Sequence, residues 1–199
     1  EDVRTRRRAL EHVLASVPEM AATAALEVAG QRQLLGALLQ VEAAHQRAIA
    51  AALDAAARYI VVERRESALA GLQLLAARNA PRVVFAVVTE ADRRLERAAA
   101  RFRAQVTAAL ADVPGWQLAL DLVRVDPAYH ALGTRYLGTT LVVDTLATAL
   151  RVYDRLLQWS ERVADFQVVT RDGLVIRSAG EWVAGRDGHE TPLLAYRRE

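Results

Sequence analysis

Residues 126–152 read DPAYHALGTRYLGTTLVVDTLATALRV and contain helix and strand signals in close succession. Asp126 and Pro127 are typical of a helix start, because Asp accepts an amide hydrogen bond and Pro fits the first helical turn. The β-branched run that follows predicts a short strand at 140–144. After it, apolar residues recur at helical spacing and predict a second helix with one apolar face, formed by Leu146, Leu150, Tyr153 and Leu157.

The same order of signals occurs earlier in the chain. Val41 and Leu53 match residues found 84 positions later, and VVE at 61–63 matches VVD found 81 positions later. We therefore predict two copies of a helix–strand–helix–strand unit, roughly at 43–55, 58–63, 66–78 and 82–88, and at 127–137, 140–144, 146–160 and 166–170. This alternation indicates an α/β (α+β) protein with two pseudo-symmetric lobes of small sheets covered by helices.

The lobes are expected at 20–112 and 113–190. The first includes a connecting helix over Glu90–Ala111, which places apolar residues on one face and arginines on another. Residues 1–19 and 191–199 have helical patterns without a sheet to pack on.

Composition limits the possible functions. Of the 199 residues, 53% are hydrophobic and 25% are charged, as in a globular protein, and no long uncharged apolar run predicts a membrane span. The chain has no Cys, which excludes disulfides, thiol nucleophiles and thiolate zinc sites. The net charge is +2 and every basic residue is Arg, which permits weak nucleic-acid binding without requiring it.

No catalytic, metal or cofactor site is predicted. The four histidines share no metal-ligand spacing: His12, His45, His130 and His189. The segment GTRYLGTT, residues 133–140, has Thr139 where a phosphate-binding loop needs Lys, and it follows a helix instead of a strand. We therefore expect no cofactor and no small-molecule substrate.

Two segments together resemble the hinge domain of the structural maintenance of chromosomes (SMC) proteins, in a divergent version of the bacterial type. They are residues 126–152 and FQVVTRDGLVIRSAGEWVAG, residues 166–185, in which Asp172-Gly173 predicts a tight hairpin turn. LLQVEAAHQRAIAAALDAAARYIVVE, residues 38–63, is similar to the N-terminal lobe of that family. The chain differs where the family has glycines, at Asp54-Ala55, Pro81-Arg82 and Arg186.

The resemblance implies a non-enzymatic dimerisation hinge that joins two long coiled-coil arms, with a coiled-coil stub at each terminus: 1–19 as the end of the incoming arm and 191–199 as the start of the outgoing one. The parent protein would be a cytoplasmic, nucleoid-associated ATPase of chromosome condensation and segregation, with its ATPase heads outside this segment. A strand near Val83–Val88 is expected to meet a strand near Glu181–Gly185 of a second copy. The predicted interface residues are Val83, Val84, Phe85, Val87, Gly180, Glu181, Trp182, Val183 and Gly185. The two glycines are expected to allow close backbone approach.

Weak, non-specific DNA binding is a further expectation, carried by Arg6, Arg7, Arg8, Arg64, Arg65, Arg93, Arg97, Arg101, Arg197 and Arg198. Two alternatives stay open. The missing glycines favour a hinge-like module that is monomeric or pairs through its arms. The repeat also permits an α/β enzyme with a small-molecule site between the lobes.

Overall fold

The computed structural model describes residues 33–77, 82–88, 93–159 and 165–185. The helices are α1 (Gln46–Leu53), α2 (Arg65–Ala77), α3 (Arg93–Ala109), α4 (His130–Leu137) and α5 (Leu146–Gln158). The strands are β1 (Leu39–Val41), β2 (Ile60–Val62), β3 (Phe85–Val87), β4 (Trp116–Leu118), β5 (Val123–Val125), β6 (Thr140–Val143), β7 (Gln167–Thr170), β8 (Val175–Arg177) and β9 (Trp182–Val183). Short 3-10 turns cover Leu35–Leu38, Asp54–Arg58, Ala119–Leu122 and Pro127–Tyr129. The predicted α+β class is confirmed. The coiled-coil stubs predicted for 1–19 and 191–199 lie outside the described residues.

The repeat predicted from the sequence is present in the fold. In the first copy α2 connects β2 to β3, and in the second α5 connects β6 to β7. Both strand pairs are parallel. Each copy is therefore a β-α-β crossover preceded by a short helix, α1 or α4.

The smaller of two compact units contains Tyr59–Val88 together with Leu34. Its two-stranded sheet is β2-β3, and Leu34 bridges to Ile60 on the other side of β2. Its core is formed by the inward side chains of β2 and α2: Ile60, Val62, Ala68 and Leu75. Strand β3 is consequently at the edge of this sheet.

The larger unit contains Leu35–Arg58 and the chain from Thr89 onward. Its five-stranded sheet has the order β4-β6-β7-β8-β9, while β1 and β5 form a separate antiparallel pair. Helix α1 belongs to this unit, where Gln167 Nε2 of β7 donates a hydrogen bond of 3.1 Å to Ala52 O. The lobe boundaries at 20–112 and 113–190 stay predictions.

Two turn signals read from the sequence act as expected. Asp126 Oδ1 accepts a hydrogen bond of 2.8 Å from the Ala128 amide, immediately before Pro127 begins a 3-10 turn. Gly173 has φ +87° between β7 and β8, and its amide donates to Thr170 O at 2.9 Å. The β7–β8 hairpin is therefore closed by a positive-φ glycine.

The apolar face predicted for α5 packs on the core only in part, because, of its four residues, Leu150 and Tyr153 are half-buried there. Leu146 and Leu157 are 47% and 53% exposed. The fully buried residues of the helix are Ala149, Val152 and Leu156. The buried face of α5 is therefore shifted by one residue from the predicted one.

Candidate interaction edges

Strand β3 presents the first of the two edges predicted to mediate self-association. Ile60 N donates to Val84 O at 2.9 Å, and Val88 N donates to Val62 O at 2.8 Å. These backbone groups of Val84 and Val88 face β2. In a parallel pair, successive residues direct their amide and carbonyl groups to opposite sides of the strand, so those of Phe85 point away from β2. Val84 is 39% exposed.

Three of the predicted interface residues, Val83, Phe85 and Val87, pack partly against the small unit's core. The Phe85 ring lies so close to Gly71 of α2 that a Cβ there would be 2.5 Å from Phe85 Cζ. Glycine in the middle of α2 therefore permits the ring to lie under the helix.

Strand β9 presents the second edge. It is the last strand of the five-stranded sheet and pairs with β8, with Trp182 opposite Ile176 and Val183 opposite Val175. Arg177 N donates to Glu181 O at 2.8 Å. Because hydrogen-bonded and non-hydrogen-bonded pairs alternate along an antiparallel ladder, Ile176 and Trp182 form a non-hydrogen-bonded pair. The amide and carbonyl of Trp182 therefore point away from β8.

The two glycines near β9 both have positive φ angles. Gly180 has φ +89° and its amide donates to Arg177 O at 2.9 Å, which closes a three-residue hairpin loop. Gly185 has φ +125°. Apart from the adjacent residues in the chain, no heavy atom of the described residues lies within 4 Å of a Cβ built on either glycine. The structure thus gives Gly180 a local turn function, and its predicted close approach to a second chain stays a prediction.

Trp182 is the largest exposed side chain of this edge, at 59% exposure. Its ring stands edge-on to Tyr153 of α5, with the ring centroids 6.2 Å apart. Tyr153 in turn lies 6.0 Å from the ring of Phe166, which is buried. The exposed indole therefore rests on an aromatic support that continues into the core.

An arginine fixes the hairpin that carries β9. Arg177 Nη1 lies 2.8 Å from Glu181 Oε2, and Nη2 lies 3.4 Å from Asp54 Oδ2. The hydrogen bond that Arg177 donates to Glu181 is the main cause of the raised pKa of Arg177, with a smaller contribution from Asp54. Asp54 ends α1 with φ 49°, at a position where the family resemblance leads one to expect glycine. Sequence reasoning identified the departure at Asp54 but not its ion pair.

The predicted DNA-binding arginines fall into three groups. Arg64 and Arg65 are exposed at the start of α2. Arg97 and Arg101 are exposed on α3, and Arg93 begins that helix with a side chain outside the described part. The remaining five lie in termini that are not described: Arg6, Arg7, Arg8, Arg197 and Arg198.

Two ion pairs missed by sequence reasoning hold α3 in place. Arg103 donates to both carboxylate oxygens of Asp121, at 2.9 and 2.5 Å, and this pairing raises the pKa of Arg103. Arg155 of α5 donates to Asp112 at 2.6 Å and to the carbonyl of Ala109, at the end of α3, at 3.1 Å. These partners are 18 to 46 residues apart in sequence, beyond any local pattern.

Three further features of the described residues concern other kinds of site. No group of three His, Asp or Glu side chains in that part of the chain is arranged to hold a metal ion. None of the helices described is long and apolar enough to cross a membrane. A groove of about 480 Å³ beside α3 is lined by the Arg103–Asp121 pair and by apolar side chains such as Leu118 and Val125.

Comparison with known proteins agrees with the resemblance read from the sequence. The family described as "SMC proteins Flexible Hinge Domain" matches residues 28–153. The chain is 28% identical over 149 residues to "Chromosome partition protein Smc" of Bacillus subtilis (strain 168), which covers 74% of this chain and only 12% of that protein.

Solved structures share the fold. The chain is similar to an asymmetric dimer of the Geobacillus stearothermophilus SMC hinge domain, with a TM-score of 0.64 and 22% identity, over 96% of this chain and 78% of that one. It is also similar to the Pyrococcus furiosus SMC protein hinge domain, with a TM-score of 0.55 and 19% identity, over 90% and 92% of the two chains. With a family match over more than half its length, this chain belongs to the SMC hinge-domain family.

Proposed function

We propose that this chain is the dimerisation hinge of a chromosome-organising SMC protein and has no catalytic activity of its own. The proposal rests on one observation: β3 and β9 are edge strands, and both carry exposed or half-buried apolar residues. An exposed strand edge offers backbone donors and acceptors to a strand from another chain. One similar structure is itself a dimer of SMC hinge domains.

The two edges suit a symmetric pair. If β3 of one protomer meets β9 of the other, the same contact occurs twice and both edges of each protomer are used. Two such contacts together would bury an area of the order of 1,600 Å², the usual size of a stable interface. Sedimentation velocity of the purified chain from about 1 to 100 µM tests the proposal. A dimer is expected, and a monomer over the whole range would refute it.

Edge variants test which strands pair. Val84→Lys places a charge on the exposed side of the β3 edge, so we expect dissociation at concentrations where the unmodified chain is dimeric. Gln117→Lys is the matched control, because Gln117 is exposed on β4, at the opposite edge of the five-stranded sheet. Dissociation by the Gln117 variant alone would assign the contact to β4 instead.

Weak binding of duplex DNA at the nucleoid is the second part of the proposal. Its support is the exposure of Arg64, Arg65, Arg97 and Arg101. Each neutralised phosphate adds about 0.9 to the slope of log affinity against log salt concentration. Fluorescence anisotropy with a labelled duplex should therefore show affinity that falls with salt, and Arg64→Gln/Arg65→Gln should lower that slope. Absence of binding in 20 to 50 mM salt would remove this part and leave the dimerisation part standing.

A further inference from the structure

A row of side chains crosses the five-stranded sheet on the face covered by α5 and ends at the open edge. Strand register places the members opposite one another in the order Leu118, Leu141, Val168, Ile176 and Trp182. The first four belong to the buried core, whereas Trp182 is 59% exposed. The row therefore stops at a large aromatic ring with one side in solvent.

The two-stranded sheet contains a matching row that stops earlier. Ile60 is opposite Phe85, and both pack on the face covered by α2, where the Phe85 ring lies against Gly71. In the repeat, β3 corresponds to β7, which has β8 beside it. Strand β3 is at an edge, so the position that Ile176 occupies in the second copy has no counterpart in the two-stranded sheet.

The helices of the two copies carry apolar residues at corresponding positions, which are half-buried in α5 and exposed in α2. A shift of 81 residues places Leu69 and Leu72 of α2 on Leu150 and Tyr153 of α5. Tyr153 is the residue that supports the Trp182 ring. Leu69 and Leu72 remain 56% and 51% exposed. Because the two copies correspond, Leu69 and Leu72 border the open side of β3, at the place that the β8–β9 hairpin fills beside β7 in the second copy.

The handedness of the crossovers fixes how the two edges can join. A β-α-β crossover is right-handed, so the step from β2 to β3 is rightward when the strands point up and the helix faces the viewer. If β3 is joined to β9 of the partner, the strand order from left to right is β2, β3 and then the partner's β9, β8, β7 and β6. The step from β6 to β7 therefore runs leftward. Its helix then faces the viewer only if its strands point down. Strand β9 is parallel to β7, because two antiparallel pairings separate them. Antiparallel joining of β3 with β9 therefore brings α2 and α5 to one face.

We infer that Trp182 of each protomer packs in the position beside β3 of the partner, between the partner's Phe85 and the partner's Leu72, with β3 and β9 antiparallel. The inference rests on the proposed dimerisation and specifies its anchor. The same ring that rests on Tyr153 in its own chain would continue the row Ile60–Phe85 of the partner. A well-supported tryptophan at the centre of a desolvated contact is the usual form of an interface hot spot.

Leu72→Glu tests the helix side of this contact. Leu72 is half exposed, so the monomer should still fold, while a charge facing the partner's indole should raise the dimer dissociation constant at least about tenfold. Ala70→Glu is the matched control. Gly71 faces the sheet, and residues 70 and 72 lie about 100° to either side of it on the helix. Ala70 is exposed on the other flank, so its variant should change the dissociation constant less than about twofold.

A double-mutant cycle tests whether Trp182 and Leu72 contact each other across the dimer. Trp182→Ala and Leu72→Ala should be non-additive, because either change removes the same contact. Val183→Ala is the control on the same strand, since Val183 is 46% exposed and neighbouring strand residues point to opposite faces. Leu72→Ala combined with Val183→Ala should be additive.

The outcomes separate this inference from the proposed function. A chain that is monomeric at all concentrations refutes dimerisation itself. A dimer that tolerates Leu72→Glu, or in which Trp182→Ala and Leu72→Ala are additive, refutes the Trp182 anchor and leaves dimerisation intact. The single-cysteine variants Leu72→Cys and Trp182→Cys give an independent check, because the natural chain has no Cys. A short bis-maleimide should join these two variants when they are mixed, whereas Ala70→Cys should not be joined to Trp182→Cys.

Discussion

Arg177 of β8 reaches Asp54 at the end of α1, with Nη2 and Oδ2 3.4 Å apart. The two residues are 123 positions apart in sequence, and Asp54 has the positive φ of 49°. Asp54 therefore has a backbone conformation that residues with a Cβ disfavour, and in that conformation its carboxylate pairs with the arginine of the β8–β9 hairpin. The hairpin in turn positions Trp182, the proposed anchor.

Replacement of Asp54 should separate backbone strain from the ion pair. Asp54→Gly relieves a φ that favours glycine and loses a partly exposed pair worth at most about 0.5 kcal/mol, so the free energy of unfolding should stay level or rise by up to about 1 kcal/mol. Asp54→Ala loses the pair and keeps the strain, so we expect a loss of about 1 kcal/mol. Urea unfolding of the three chains measures the order. An alanine variant as stable as the glycine variant would show that the backbone at 54 is unstrained.

Gly71→Ala should destabilise the small unit although alanine is the better helix former. A Cβ at 71 would meet Phe85 Cζ at 2.5 Å. Overpacking of this kind costs about 1–3 kcal/mol, more than the roughly 1 kcal/mol that alanine gains over glycine in a helix. The free energy of unfolding in urea should therefore fall by about 1 kcal/mol.

Phe85→Leu provides the matched background for that measurement. With a smaller side chain at 85, the alanine at 71 has room, and the sign should reverse to a gain of up to about 1 kcal/mol. The ring contact would be the wrong explanation if Gly71→Ala cost the same free energy in both backgrounds.

The repeat could be predicted from the sequence because its signals are local. The helices and strands of both copies follow from spacing within a few residues, and Asp126 and Gly173 act through neighbours two or three positions away. Those parts of the fold were predicted with bounds within a few residues.

Features set by long-range packing could not be predicted. The sequence offers Leu146, Leu150, Tyr153 and Leu157 as the apolar face of α5, yet the most deeply buried residues of the helix are Ala149, Val152 and Leu156, which are fixed by packing against the sheet. The membership of α1 in the larger unit depends on contacts such as Gln167 with Ala52, 115 residues apart. For the candidate site, the sequence indicated the β9 segment through its resemblance, but nothing in it showed that Tyr153 supports Trp182.

Arg155→Ala should weaken the attachment of α3 to α5. The Arg155 guanidinium donates to the carbonyl of Ala109 at 3.1 Å, at the end of α3, and to Asp112. Loss of the charged hydrogen bond to that carbonyl should lower the free energy of unfolding by about 1 kcal/mol, and Arg155→Lys should not restore it, because an ammonium lacks the planar fork. Arg151→Ala, one turn earlier on α5, is the control and should change stability by less than about 0.5 kcal/mol. Equal losses for both arginines would contradict a specific function of Arg155.

Asp112 should titrate below its ordinary value because of the same arginine. The hydrogen bond from Arg155 is the main cause of the lowered pKa of Asp112, whose ordinary value is about 3.8. A pKa that is lower in the folded state means that the ionised carboxylate contributes stability above the unfolded pKa, and that this contribution is lost as the pH falls through the folded pKa. The stability difference between the natural chain and Asp112→Asn should therefore be constant above about pH 5 and should shrink below about pH 4. Carboxyl carbon NMR measures the titration directly, with Arg155→Ala as the comparison. In that variant the Asp112 pKa should return towards 3.8, and an unchanged titration would show that Arg155 is not the cause.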